Sequence, residues 1–213
     1  MPRKPRVLFD GALYHVTSRG NARQVIFHGD EDRERFLVQL GERVAAYGVV
    51  VYALVLMDNH YHLLVRTPKG NLDRFMQRVN TSYALYYRYK HRRPGHLFQG
   101  RYTARLVTED RYLLALTRYL HLNPVKTALW RKASRKDRVV GLNGYRWSSY
   151  RSYVSGRAEW PWLSLEVLGH YGRTLGPAAA RYRAYTEAML TEDDAELAEA
   201  LRKAGGNVGQ EKG

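Results

Sequence analysis

The segment that decides the fold is VVVYALVLMDNHYHLLVRT, residues 49–67. Its two halves, 49–57 and 60–67, are rich in β-branched, aromatic and aliphatic residues and predict two strands. Asp58 and Asn59 lie between them, and short polar side chains of this kind favour tight turns because they hydrogen-bond to the turn backbone. The segment therefore predicts a β-hairpin.

Two histidines in the second strand share a face. Side chains alternate along a strand, so His60 and His62 project from the same side, about 7 Å apart at roughly 3.3 Å per residue. Two imidazoles in this arrangement can bind one metal ion, although a lone His-x-His pair is more often a surface or core feature. Tyr61 between them points to the opposite face, where we expect it to pack.

The segments around the hairpin complete an alternating order of strands and helices. Their periodicities predict a strand, a helix, the hairpin, a second helix, an extended segment and a third helix that Pro124 ends. This order is that of a ferredoxin-like, split βαβ antiparallel sheet with helices on one face. In this α+β fold the histidine strand lies toward the centre of the sheet. The predicted segments outside the hairpin are 13–19, 30–47, 72–90, 97–107 and 109–122.

The charge of the chain indicates the kind of partner. The 213 residues carry a formal net charge of +15, and the sequence pI is about 10.1. Residues 1–156 hold 28 Lys+Arg against 11 Asp+Glu, a net charge of +17, whereas the remainder holds 7 against 9. A basic surface of this size favours a polyanionic partner such as nucleic acid.

Cysteine content and hydropathy exclude several other classes. The sequence has no Cys, which excludes disulfides, thiolate zinc sites and cysteine nucleophiles. The longest apolar run, residues 49–57, is too short to span a bilayer, and the basic start is followed by no apolar stretch of signal-peptide length. We therefore expect a soluble, cytoplasmic protein.

The sequence divides into three regions. Residues 1–133 carry the predicted strands, helices and histidine pair. Residues 134–190 form an extension with an aromatic and basic block, YRWSSYRSY (145–153), and a helix over 178–190. The tail, 191–213, is acidic and then Gly-rich, a composition typical of a disordered segment.

The end of the third predicted helix supplies candidate partners for the histidines. Tyr119 and Asn123 are four residues apart, so on a helix they share a face with Cβ atoms roughly 5–6 Å apart. Tyr119 could attack phosphorus while the Asn123 carbonyl joins two imidazoles around a hard ion such as Mg²⁺ or Mn²⁺. Taken by itself, Asn123 before Pro124 would be read as a helix C-cap.

These motifs resemble those of the HUH single-tyrosine transposases, most closely the REP-associated tyrosine transposases of the IS200-like superfamily. The resemblance runs from about Tyr14 to Tyr153. It is carried by the segments MDNHYHLL (57–64), RYLHLNPVKTA (118–128) and YRWSSY (145–150). It implies a catalytic domain with the HUH fold over residues 1–133. The implied activity is cleavage and rejoining of single-stranded DNA at hairpin-forming, REP-like repeats.

The resemblance also implies the role of each site residue. His60, His62 and Asn123 would bind a divalent metal ion, Mg²⁺ or Mn²⁺, and Tyr119 would be the nucleophile that forms a 5′-phosphotyrosine intermediate. Insertion-sequence enzymes of this class usually have Gln as the third ligand, so Asn123 fits the REP-associated branch better. A monomer or a homodimer is implied, because the tyrosine helix of such enzymes docks within one chain or is exchanged between two.

Cationic and aromatic side chains around the second helix are candidates for DNA contacts, since cations follow phosphates and aromatic rings stack on unpaired bases. The candidates are Arg88, Lys90, Arg92, Arg93, Gln99, Arg101, Tyr102 and Arg105, with Arg19, Arg23, Arg146 and Arg151 as weaker ones. Three further residues near the predicted site are expected to pack: His15, His121 and Tyr112, the last being a rival nucleophile two helical turns from Tyr119.

Two other functions stay open on the sequence alone. A non-catalytic protein of the same fold would bind DNA or RNA hairpins without forming a covalent adduct. A hydrolytic metal nuclease, in which a histidine or a metal-bound water attacks, would cleave DNA without a covalent intermediate.

Overall fold

The computed structural model describes residues 7–192 together with Leu197. Within this part of the chain there are four strands and six α-helices, and the first seven elements follow the predicted order. They are β1 (Ala12–Arg19), α1 (Asp30–Tyr47), β2 (Val50–Met57), β3 (His60–Thr67), α2 (Leu72–His91), β4 (Thr103–Val107), α3 (Asp110–Leu122), α4 (Arg135–Gly144), α5 (Tyr150–Ser155) and α6 (Leu175–Glu187).

The four strands form one antiparallel sheet in the order β2-β3-β1-β4. The α+β class and the β2–β3 hairpin are confirmed, and β3 is paired on both sides, so the histidine strand lies inside the sheet. Residues that lie opposite each other in adjacent strands point to the same face. Three such pairs matter for the site: His60 with Arg19, His62 with Thr17, and His15 with Arg105.

The predicted extended segment 97–107 is only partly a strand. β4 begins at Thr103, whereas Phe98 bridges Gly20 just beyond the end of β1, and the Gln99 N–H donates to the Arg19 carbonyl at 2.8 Å. Gly100, with a φ of 67°, turns the chain between the two parts. A residue in the left-handed region cannot continue an extended ladder, and glycine adopts that region without a steric penalty.

One face of the sheet is covered by α1 and α2. Their buried side chains, including Phe36 and Phe75, pack against alternate residues of β1 and β3. Tyr61 is fully buried in this layer, as expected from the alternation, and its hydroxyl donates to the Asn80 side chain at 2.5 Å.

The expectation that helices pack on one face needs one correction, because α3 lies on the opposite face with the two histidines. Leu116 and Leu120 of α3 pack with Ala53, Val55 and Leu64 of the hairpin. The hairpin can carry helices on both faces because its run of apolar residues is nearly continuous instead of alternating.

The extension after residue 133 packs against α3 on the histidine face of the sheet and along the outer edge of β2. The Leu56 N–H donates to the Trp147 carbonyl at 2.8 Å, and the Ser164 N–H donates to the Val51 carbonyl at 2.8 Å. An open edge strand offers unpaired backbone groups to other chains, so this cover protects β2 from such pairing.

The helix predicted over 178–190 is α6, which begins and ends three residues earlier. The tail that was expected to be disordered, 191–213, lies outside the described residues except for 191, 192 and Leu197. None of the described helices is long and apolar enough to cross a membrane.

Candidate active site

His60 and His62 lie side by side on β3, with ring centroids 5.0 Å apart and planes nearly perpendicular. The Nδ1 atom of His60 lies 2.7 Å from Oδ1 of Asn59. The Nδ1 atom of His62 lies 2.9 Å from Nε2 of His15 and 2.9 Å from Oγ1 of Thr17. Since both Nδ1 atoms are engaged by the protein, the Nε2 atoms are the ones available to a ligand.

Both imidazoles are held neutral at physiological pH. Burial, and secondly the positive charge of Arg19, lowers the pKa of His60 to about 4. Burial, with His15 and His60 beside it, holds the pKa of His62 well below its ordinary value. Metal binding requires an unprotonated imidazole, so these two residues are already in the form that binds a metal.

Tyr119 lies over this pair from α3. Its ring centroid is 6.0 Å from that of His62, with the two planes nearly perpendicular, and the side chain is half-buried. The contact occurs within one chain. The tyrosine helix thus contacts the histidine strand of its own chain, which is one of the two arrangements that the sequence leaves open.

Asn123 lies one turn beyond Tyr119 and is half-buried. Its Nδ2 donates to the Tyr119 carbonyl at 3.5 Å, so the described hydrogen bond of this side chain joins it to its own helix and not to either histidine. Its backbone is right-handed and leads into a 3₁₀ turn over Asn123–Val125. It does not adopt the left-handed conformation of a common helix C-cap.

The helix that carries Tyr119 is anchored by His121, which is fully buried on the other side of α3. Its Nδ1 hydrogen-bonds to the Tyr182 hydroxyl, and its Nε2 lies 2.7 Å from Oγ of Ser149. Burial lowers the pKa of His121 to about 3. The prediction that His121 is structural is confirmed, as is the buried, packed position of Tyr112.

The imidazoles of His60 and His62 together with one amide oxygen make a set of ligands that suits a hard divalent ion. Among the described residues, no group of three or more His, Cys, Asp and Glu side chains is placed to hold a metal ion. Two neutral imidazoles and the Asn123 carbonyl oxygen are then the candidate ligands in this region, with water for the remaining positions.

Most of the predicted DNA-contacting residues are exposed around the C-terminal end of α2 and the loop after it, namely Arg88, Arg92, Arg93, Gln99 and Arg101. A shallow cavity of about 260 Å³ lies between this loop and residues 21–24, with Arg88 and Arg93 among its lining residues. Arg105 differs from this group because it lies opposite His15, on the face of the sheet that carries His60 and His62.

Two of the predicted DNA contacts need correction. Lys90 forms salt bridges with Glu31 at 2.8 Å and with the buried Asp32 at 2.9 Å, so its charge is neutralised within the protein. The ring of Tyr102 is 7% exposed and packs in the core, which leaves it no open face for a base.

Among the weaker candidates, Arg146 and Arg151 face Asp30 and Glu159 in ion pairs of 3.7 and 3.2 Å, and Arg23 is exposed. Arg19 instead lies beside His60.

Thr17 is the site residue that sequence reasoning did not identify. A signal for it exists in β1, where His15, Thr17 and Arg19 recur at every second position and so share one face. The register that places this face beside His62 is set by long-range pairing, which the sequence pattern does not reveal.

Comparison with known proteins identifies the family and supports the fold. A family model described as "Transposase IS200 like" matches residues 9–123, more than half of the chain, and this range includes the histidine pair, Tyr119 and Asn123. No curated protein sequence matches.

Two solved structures are similar to this chain. A REP-associated tyrosine transposase bound to a REP hairpin is 14% identical, with a TM-score of 0.58, over 73% of this chain and 86% of that one. A protein from Deinococcus radiodurans R1, provisionally assigned as a transposase, is 19% identical, with a TM-score of 0.40, over 55% of this chain and 95% of that one. The first shows the same fold, and the family match extends through the candidate site. The chain belongs to the IS200-like transposase family.

Proposed function

We propose that the protein is a metal-dependent DNA transesterase that cleaves and rejoins single-stranded DNA at hairpin-forming, REP-like repeats. The observation that carries this proposal is the contact between Tyr119 and His62, with His60 beside them, on a strand and a helix of the same chain. This contact between Tyr119 and His62 lies within one chain, which supports a site formed by a single subunit.

The reaction exchanges one phosphodiester for another. The Tyr119 oxygen attacks the scissile phosphorus and loses its proton, the bond from phosphorus to the 3′ oxygen breaks, and that oxygen leaves as a 3′-hydroxyl after taking up a proton. The product is a 5′-phosphotyrosine that keeps the energy of the broken bond. A different 3′-hydroxyl can then attack the phosphotyrosine and rejoin the strand without ATP.

A divalent ion, Mg²⁺ or Mn²⁺, would be held by His60, His62 and Asn123. When bound, it supplies charge that polarises a phosphate oxygen and offsets the negative charge of the transition state. The protein prepares for this by keeping both imidazoles neutral and by engaging their Nδ1 atoms, which leaves each Nε2 free to face a ligand.

The substrate class is supported by two observations. The structurally similar REP-associated transposase is bound to a REP hairpin. The exposed arginines at the end of α2 supply a cationic surface on this chain, and such a surface would follow the phosphates of a hairpin stem. An enzyme that acts on chromosomal repeats would work in the cytoplasm.

The test is an adduct assay with oligonucleotides that carry REP-like palindromes, each with a single-stranded flank. A 3′-labelled strand should migrate with the protein on a denaturing gel, whereas a 5′-labelled strand should be released, because Tyr119 retains the 5′ phosphate. Tyr119→Phe and EDTA should each abolish the adduct, and Tyr112→Phe is the matched control that should retain it.

The other outcomes identify the alternatives. Cleavage by Tyr119→Phe without any adduct would indicate a hydrolytic metal nuclease. Salt-sensitive hairpin binding with neither cleavage nor adduct would indicate a non-catalytic binding protein. Adduct formation in EDTA would refute the metal dependence alone.

A further inference from the structure

We propose that Arg19 and Arg105 form a phosphate clamp that holds the non-bridging oxygens of the scissile phosphate. The clamp rests on the proposed function and assigns two catalytic residues that the histidine pair, Tyr119 and Asn123 do not include. It also separates Arg105 from the arginines at the end of α2, which would contact DNA away from the reacting bond.

The sheet places the two arginines on the face where the chemistry occurs. Arg19 is the last residue of β1 and lies directly opposite His60, and Arg105 on β4 lies directly opposite His15. Cross-strand partners share a face, so both guanidinium groups belong to the surface that α3 covers with Tyr119. Both side chains are half-buried, which limits the conformations they can adopt.

The positive charges of Arg19 and Arg105 lower the pKa values of histidines in the site. Burial and then Arg105 lower the pKa of His15 to about 3, while burial and then Arg19 lower that of His60 to about 4. Both arginines also act on His62, after burial and the neighbouring histidines. In the sheet order β1 and β4 lie on the same side of β3, so both arginines lie on that side of the histidine pair, Arg19 level with His60 and Arg105 level with Leu64.

Neither arginine is neutralised in the ion pairs found among the described residues. Arg66, on the same face of β3, offers the contrast, because it pairs with Glu166 at 3.6 Å and lies over the Tyr52 ring. Asp58 acts on His60, but its carboxylate binds Arg33 at 2.5 Å. Two half-buried cations beside neutral histidines leave a net positive site, which a phosphodiester would neutralise.

The chemistry of the step uses such a pair. When the Tyr119 oxygen bonds to phosphorus before the 3′ oxygen leaves, negative charge accumulates on the non-bridging oxygens. A guanidinium binds two such oxygens through parallel N–H bonds and stays protonated throughout. Donors placed where charge develops accelerate reactions more than they strengthen substrate binding.

The experiment compares a normal scissile phosphodiester with a methylphosphonate at the same linkage, in which a neutral methyl replaces one charged oxygen. Adduct formation is measured for wild type, Arg19→Gln, Arg105→Gln and the matched control Arg66→Gln. On the phosphodiester, each clamp variant should be slower by about 10²-fold or more, as for loss of one transition-state donor, while Arg66→Gln should be unchanged.

On the methylphosphonate the deficit of the clamp variants should shrink severalfold, because the charge that they stabilise is reduced. Equal deficits on both substrates would overturn the proposal, since they would mean that the arginines act elsewhere on the DNA. Wild-type rates in both clamp variants would overturn it as well. Hairpin affinity and the thermal midpoint of each variant confirm that it folds and binds.

A second measurement keeps the clamp testable if wild type forms no adduct and the proposed function fails. Binding is followed by fluorescence anisotropy in EDTA, with one methylphosphonate moved along the single-stranded flank of the hairpin. Wild type should lose affinity at one linkage, and the Arg19→Gln, Arg105→Gln double variant should lose none there. A flat profile for wild type would refute the clamp.

Discussion

Replacing His15 by Leu should stabilise the metal-free protein and weaken its metal site. His15 is buried on β1, and its Nδ1 has no hydrogen-bond partner among the described residues. An unpaired buried polar group costs roughly 1–3 kcal/mol, and Leu is apolar and of similar size. His62 would keep the Thr17 hydroxyl at 2.9 Å as a partner for its Nδ1. We therefore expect a net gain of about 1 kcal/mol in the free energy of unfolding at pH 8.

The advantage of the variant should grow as the pH falls. Burial, and secondly Arg105, lowers the pKa of His15 from its ordinary 6.5 to about 3. Unfolded His15 therefore takes up a proton below pH 6.5, whereas the folded residue stays neutral, so acid stabilises only the unfolded state. Over the two pH units from 6.5 to 4.5, wild type should lose about 2 kcal/mol from this residue, a loss that His15→Leu does not suffer.

Metal affinity should change in the opposite direction. His15 Nε2 and Thr17 Oγ1 together hold the Nδ1 of His62, and partners of this kind orient a ligating imidazole and are worth about 10–100-fold in metal affinity. With Thr17 retained, His15→Leu should bind Mn²⁺ about tenfold more weakly, at the lower end of that range.

The assays are urea denaturation in EDTA at pH 8, 6.5 and 4.5, and titration calorimetry with Mn²⁺. His170→Leu, at an exposed histidine, is the matched control and should leave both readouts unchanged. Three results would contradict these roles of His15: lower stability of His15→Leu than of wild type at pH 8, a stability difference that does not widen on acidification, or an unaltered Mn²⁺ affinity.

Three further substitutions test individual contacts. Ser149→Ala should lower the free energy of unfolding by about 2–4 kcal/mol in urea denaturation. The Ser149 hydroxyl lies 2.9 Å from the buried Leu54 N–H and 2.7 Å from Nε2 of His121, and both groups would lose this partner. A loss below about 1 kcal/mol would contradict this prediction. Thr17→Val keeps the shape of the side chain and should weaken Mn²⁺ binding about tenfold by calorimetry, while an unchanged affinity would remove Thr17 from the site. Asn123→Ala should abolish the Mn²⁺ signal that Asn123→Gln partly retains, since Gln keeps an amide oxygen, and equal behaviour of the two variants would argue against Asn123 as a ligand.

The parts of the structure that depend on local periodicity could be predicted from the sequence. Alternation along residues 60–67 placed His60 and His62 on one face and Tyr61 on the other, and both are observed. Tyr119 and Asn123 lie one helical turn apart at the end of α3, as their four-residue spacing predicts, because Asn123 keeps a right-handed helical backbone before Pro124.

The parts that depend on long-range packing could not be predicted in the same way. The hairpin is apolar on both faces, so its pattern does not reveal which face receives α3. The cluster of basic residues at the end of α2 indicated a DNA surface, but the partners that neutralise Lys90 come from α1. The importance of Thr17 and Arg19 follows from the β1–β3 register, which pairs residues more than 40 positions apart.

Covalent attachment of Tyr119 to DNA can be observed by mass spectrometry of the tryptic peptides from the trapped adduct. Arg111, Arg118 and Lys126 divide α3 so that Tyr112 lies in the peptide 112–118 and Tyr119 in the peptide 119–126. After nuclease trimming, we expect a nucleotide phosphate on peptide 119–126 and no modification of peptide 112–118. A nucleotide on 112–118, or cleaved DNA with both peptides unmodified, would contradict this expectation.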